Sequence, residues 1–116
     1  MVSTVTGSVK GAKGMNNTKW NELFRAFYEN ETAQDRSFSV FYRTKDMNGD
    51  ITCWSNEWEL FGSEFPFWKD LEWLQIKLSD TNKQFVVDTL KRIHVPGEIQ
   101  GNIATVYGYR QDCAYI

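Results

Sequence analysis

Asn48-Gly49 lies between two runs of strand-forming residues, and this dipeptide limits the fold more than any other feature of the chain. Asn-Gly supplies the positive φ that a tight two-residue turn needs at both central positions, so it predicts a β-hairpin. From Ser37 the pattern alternates, with Phe38, Val40, Tyr42 and Thr44 on one face and Phe41, Arg43 and Lys45 on the other. Counting outward from a two-residue loop sets Met47 against Asp50, Lys45 against Thr52, Thr44 against Cys53, Arg43 against Trp54 and Phe41 against Asn56. Arg43 and Trp54 are then cross-strand neighbours, placed for a cation–π contact. The same register puts Ile51, Cys53 and Ser55 on the core side with Phe38, Val40 and Tyr42. It turns Thr52, Trp54, Asn56 and Trp58 outward.

Before the hairpin, Trp20, Leu23, Phe24 and Phe27 recur at helical spacing behind Asn17 or Thr18, either of which can cap a helix. The polar stretch from Asn30 to Arg36 ends it. After the hairpin, Gly62 to Trp68 with Pro66 reads as an aromatic loop. Leu71 to Leu78 reads as a strand, with Leu71 and Trp73 on one face and Leu74, Ile76 and Leu78 on the other. Thr81 and Gln84 have capping-box spacing before a second helix, whose apolar stripe is Phe85, Val86, Leu90 and Ile93. Lys91, Arg92 and His94 suit its C-terminal dipole, and Pro96-Gly97 stops it. Ile103 to Tyr109 alternates as a strand, and Ala114 to Ile116 extends it or adds an edge. Short connections between strands favour antiparallel pairing. The expected fold is α+β in two layers, an antiparallel sheet of four to five strands with two amphipathic helices on one face.

With 116 residues the chain makes one domain. Residues 1–14 hold two of the 13 bases and none of the 15 acids, carry no aromatic, and read as a disordered leader or extension before a domain at 15–116. Val2, Val5 and Val9 are too scattered for a signal peptide. A net charge of −2 offers no basic stripe for nucleic acid, and no apolar run approaches a membrane span. Cys53 and Cys113 match no zinc or disulfide spacing, which points to reduced thiols in a cytoplasm.

Four of the five tryptophans, Trp54, Trp58, Trp68 and Trp73, fall within one stretch beside Glu57, Glu59, Glu64, Asp70 and Glu72. Trp rings fill cores, and they also anchor binding hot spots. No cofactor or metal motif stands beside them. Asp46, Asn48, Asp50 and Glu57 occupy positions of a calcium loop, but the template requires Gly where this chain has Ile51. His94 is the single histidine, and a cap or packing role suits its place. An enzymatic role would pair it with a carboxylate, or with Cys53 or Cys113. Glu57 with Glu59 and Asp70 with Glu72 would each share a strand face if extended, most simply as solvated edge charge.

Asn16-Asn17-Thr18-Lys19-Trp20, Tyr42-Arg43-Thr44-Lys45-Asp46, Ile93-His94-Val95-Pro96-Gly97-Glu98 and Val106-Tyr107-Gly108-Tyr109 followed by Tyr115-Ile116 together resemble a family of small bacterial proteins classed as a domain of unknown function. The resemblance covers residues 15–116, implies a bacterial cytoplasmic protein and supplies no catalytic residues. By analogy of size and class it suggests an immunity protein or a mobile gene-cassette product.

The function expected first is non-enzymatic binding of a protein partner, or self-association as a homodimer. Its surface would comprise Arg43, Trp54, Trp58 and the loop bearing Phe65, Phe67 and Trp68, with the surrounding acids meeting a basic partner. The second expectation is an aromatic small-molecule pocket between sheet and helices, lined by Trp73 and Tyr107. A small enzyme using His94 is the third.

Overall fold

A computed structural model of the chain describes residues 15–33, 38–64, 68–109 and 114–116, with the backbone alone at 62–64. Helix α1 spans Asn17–Thr32 and follows the expected spacing, burying Trp20, Leu23 and Phe27. Its cap lies one residue before the expected pair: the Asn16 side chain accepts the Lys19 N–H at 2.8 Å. An Asn one step upstream reaches the same orphan amide equally well, so the Asn-Asn-Thr run leaves the choice open.

Strand β1 (Phe41–Asp46) enters the turn, which has three residues rather than two. Asp46 and Asp50 close it through the Asp50 carbonyl and the Asp46 N–H, and the Gly49 N–H donates to the Asp46 carbonyl. The Asp46 carboxylate also accepts the N–H groups of Asn48 and Asp50. Gly49 alone takes positive φ, 95°, which suits a three-residue loop. The returning arm meets β1 only at two isolated bridges, Lys45 with Ile51 and Tyr42 with Ser55. The Tyr42–Ser55 bridge has the expected register, whereas the Lys45–Ile51 bridge is shifted by one. Because the arm is irregular, it does not keep its side chains in alternation. Ile51 is 54% exposed, and Cys53 is exposed rather than turned to the core.

A second helix, α2 (Trp58–Glu64), stands where a strand end and a loop were expected. The Glu31 carboxylate at the end of α1 accepts the Trp58 N–H at 2.6 Å, capping α2 from another element. A short 3₁₀ turn, Trp68–Asp70, leads into β2 (Leu71–Lys77). The pairing of β1 with β2 slips between Lys45 and Asp46, so that Trp73 faces Lys45 while Leu71 faces Asp46. That bulge at Glu72 reverses the alternation. Leu71 therefore joins Leu74 and Ile76 in the core, and Trp73 takes the opposite face instead of sharing one with Leu71.

Helix α3 (Lys83–Ile93) is entered through Ser79 and Asn82, not Thr81 and Gln84. Ser79 Oγ accepts the Asn82 N–H, and Asn82 Oδ1 accepts the Ser79 N–H. The Asn82 amide also donates to the carbonyls of Ser39 and Lys77, tying the helix start to the segment that leads into β1 and to β2. At the other end His94 takes the left-handed conformation, φ 65°, and its N–H and that of Val95 both donate to the Leu90 carbonyl.

The sequence pattern did not foretell β3 (Gly97–Gln100), which turns through Gly101 and Asn102 into β4 (Ile103–Tyr107). All pairings are antiparallel, in the order β1-β2-β4-β3. Ala114 to Ile116 does add to the β3 edge, through a bridge between Tyr115 and Pro96. At Gly108 the backbone passes so close to β2 that an added Cβ would sit 2.1 Å from the Leu71 carbonyl oxygen. The class is α+β, as expected, with three α-helices among the described residues. No helix among the described residues is long and apolar enough to cross a membrane.

Candidate functional site: the open face of the sheet

Alternation along each strand divides the sheet into two unlike faces. One carries Val40, Tyr42, Leu74, Ile76, Ala104 and Val106, all buried in one cluster with the apolar stripes of the helices. Trp58 belongs to this side, at 1% exposure, with its ring on Tyr42 and Phe27 and its Nε1–H donating to the Val40 carbonyl. It is a core residue, not a surface anchor, because α2 begins at Trp58 and turns its side chain inward. Trp68 lies on this side too, half-buried, stacked on Phe61 and bonded to the Phe61 carbonyl. Phe65 and Phe67 lie outside the described residues.

The other face brings together Arg43, Trp54, Trp73 and Tyr107. The strand register arranges this face in rows. The central row runs Arg43, Gln75, Thr105, Glu98 across β1, β2, β4 and β3. On one side of it lie Lys45, Trp73 and Tyr107; on the other lie Phe41, Lys77, Ile103 and Gln100. Trp54 reaches over from the returning arm, with the Arg43 guanidinium 4.7 Å from its ring centroid and Lys77 Nζ 4.5 Å away. The Trp73 ring stands 5.9 Å from the same guanidinium. Arg43 Nε–H donates to Gln75 Oε1 at 2.9 Å, and Gln75 Nε2–H donates to Thr105 Oγ1 at 3.3 Å. This bonded row explains why Thr105 is 8% exposed although it faces away from the helices.

Arg43 is thus held at its Nε and between two tryptophans, while its terminal nitrogens make no hydrogen bond or ion pair among the described residues. A guanidinium so fixed keeps four N–H donors for an incoming acceptor. Neither Lys77 nor Glu98 forms an ion pair among the described residues, whereas Lys45 pairs with Glu72 at 3.4 Å. Acids and tryptophans alternate in the sequence but not on this surface. Trp58 is inside while Glu57 and Glu59 are exposed, and the open tryptophan face carries Arg43 and Lys77, neither in an ion pair among the described residues.

The other expected sites separate. Trp73 and Tyr107 face away from the helices, so they line no pocket between sheet and helices, and that space is filled by Tyr42, Trp58 and Phe61. His94 is exposed, stacks on Tyr115 at 4.5 Å and forms no ion pair with a carboxylate among the described residues. It belongs to the β3 edge, opposite the β1 edge where Cys53 lies, and Cys113 is outside the described residues. Neither acid pair lies on a strand face: Glu59 is in α2, Asp70 in the 3₁₀ turn and Glu72 in the bulge. A cleft of about 190 Å³ at the hairpin includes Asp46, Asp50 and Asp70, yet no three acids, histidines or cysteines among the described residues are grouped to hold a metal.

Sequence reasoning missed Gln75, Lys77, Thr105 and Glu98. The alternation that carries Gln75, Lys77 and Thr105 was visible, but β3 with Glu98 was not, and grouping all four on one surface needed the order of strands. A model of a family of unknown function (DUF6678) matches residues 8–113, and the chain belongs to that family. The match begins inside the stretch read as a leader. No curated protein and no solved structure matches.

Proposed function

We propose that this member of the DUF6678 family is a binding protein that docks a protein partner on its open sheet face. The carrying observation is Arg43, immobilised by Trp54, Trp73 and Gln75 with its guanidinium end unspent. Side-chain ordering is a large cost of association, and here it has been met before the partner arrives. Trp, Tyr and Arg are also the residue types that dominate interface energies, and Trp54, Trp73, Tyr107 and Arg43 meet in one patch. An immunity-type role against a basic toxin draws less support, since the aromatic patch carries Arg43 and Lys77 where that role needs acids. We place the protein in a bacterial cytoplasm on the family resemblance and the free thiol of Cys53.

Affinity capture from a cell extract tests this, with wild type, Trp73→Ala and Met47→Ala as baits and circular dichroism confirming each fold. Met47 is an exposed apolar side chain at the hairpin tip, away from the face. A partner retained by wild type and Met47→Ala but lost by Trp73→Ala supports the reading. A partner held equally by Trp73→Ala contradicts it.

A further inference from the structure

The central row of the open face has a positive end and a negative end. Arg43 lies on β1 and Glu98 on β3, at opposite edges of the sheet, neither with an ion-pair partner among the described residues. Three strand intervals, about 14 Å, separate them. Between them stand an amide, Gln75, and a hydroxyl, Thr105. A row with this order is complementary to its own reverse.

We infer that the occupant of the open face is a second copy of this chain, packed sheet to sheet about a two-fold axis parallel to the strands. This rests on the reading of that face as the docking surface. Such an axis, passing between β2 and β4, exchanges β1 with β3 and β2 with β4. Arg43 then meets Glu98 of the partner subunit, and Gln75 meets Thr105 of the partner subunit, each contact made twice. In the neighbouring row Trp73 meets Tyr107 of the partner subunit, an aromatic pair. In the other row the stem of Lys77 meets Ile103 of the partner subunit. No like charges are set directly opposite each other.

The choice of axis is decided by charge. A two-fold perpendicular to the strands would set Arg43 on Arg43 and Glu98 on Glu98, which is unfavourable at both edges. Only the parallel axis satisfies both ends, and it gives the aligned packing usual for two stacked sheets. Four strands about 4.8 Å apart and five residues of about 3.3 Å give a face of roughly 300 Å² in projection. That is below the ~800 Å² per partner of a standard interface, so the dimer is weak and reversible.

The test is sedimentation velocity on the full chain over a concentration series up to about 1 mM, for wild type, Arg43→Glu, Glu98→Arg and an equimolar mixture of the two variants. Circular dichroism checks each fold. Wild type is expected to dimerise with rising concentration, and each single variant to associate at least about tenfold more weakly, because two opposite-charge contacts become like-charge ones. In the mixture every Arg43–Glu98 contact is opposite in charge again, so association is expected to return to within about threefold of wild type. Glu98 is exposed on a short edge strand. If Arg43→Glu fails to fold, Glu98→Arg alone decides, and association equal to wild type overturns the inference. A wild-type monomer across the series overturns the second copy, as does a dimer indifferent to the charge swaps. Neither result touches the capture experiment, which tests the face itself.

Discussion

Trp54 and Trp58 lie four residues apart in the sequence and serve opposite faces of one sheet. Trp58 is enclosed by Tyr42, Phe27 and Phe61, with its only polar atom bonded to a carbonyl. Trp54 is half-exposed and spread over two cations. The difference arises in the backbone between them. At Trp54 the chain still runs beside β1, while at Trp58 it has begun a helix capped by Glu31. Ring chemistry is equal in the two residues, so what separates a core Trp from a surface one here is which element carries it.

That contrast can be broken most forcefully at Trp58. Trp58→Ala removes one of the two largest groups in the core and is expected to cost about 3–5 kcal/mol, measured by urea denaturation. A loss as small as that of an exposed residue would mean the ring is not enclosed. Gly108→Ala, next in size, places a Cβ against the Leu71 carbonyl and is expected to cost about 1–3 kcal/mol, with the same measurement as its check. Asn82→Ala leaves the Ser39 and Lys77 carbonyls and the Ser79 amide without their bonds, and about 1–3 kcal/mol is expected; hydrogen exchange should rise first at the start of α3 and in the turn from Ser79 that leads into it. Trp54→Ala sits at the small end. Its cation–π contacts are partly solvated, and no more than about 1 kcal/mol should be lost, so its effect appears in association rather than in melting. If Trp54→Ala unfolds the protein as Trp58→Ala does, the two faces are not distinct.

Much of the fold was legible. The stripe at Trp20, Leu23 and Phe27, the alternation of β1, of β2 from Trp73 onward and of β4, and the helix stop before Pro96-Gly97 each depend on neighbours in the sequence, and each appears in the structure. The Arg43–Trp54 contact was readable for the same reason, since a hairpin is local. What escaped depends on distant partners. Helix α2 needs Glu31 from α1 as its cap, the Glu72 bulge that turns Trp73 outward is set by pairing with β1, and Gln75 meets Thr105 only because β4 inserts between β2 and β3. Trp58 was read as outward because counting by twos was carried past the end of the extended arm. Arg43 and Trp54 could be read locally; Gln75, Thr105 and Glu98 required the topology.

The measurement that bears most directly on the open face as the interaction surface is a dilution series followed by amide ¹H–¹⁵N NMR. Concentration-dependent shifts are expected at Arg43, Trp54, Trp73, Gln75, Thr105, Tyr107 and Glu98, and not on the exposed sides of α1 and α3 at Arg25 and Lys91. Shifts centred on those helices would contradict the open face as the interaction surface, and a spectrum unchanged from micromolar to millimolar protein would overturn the second copy as its occupant.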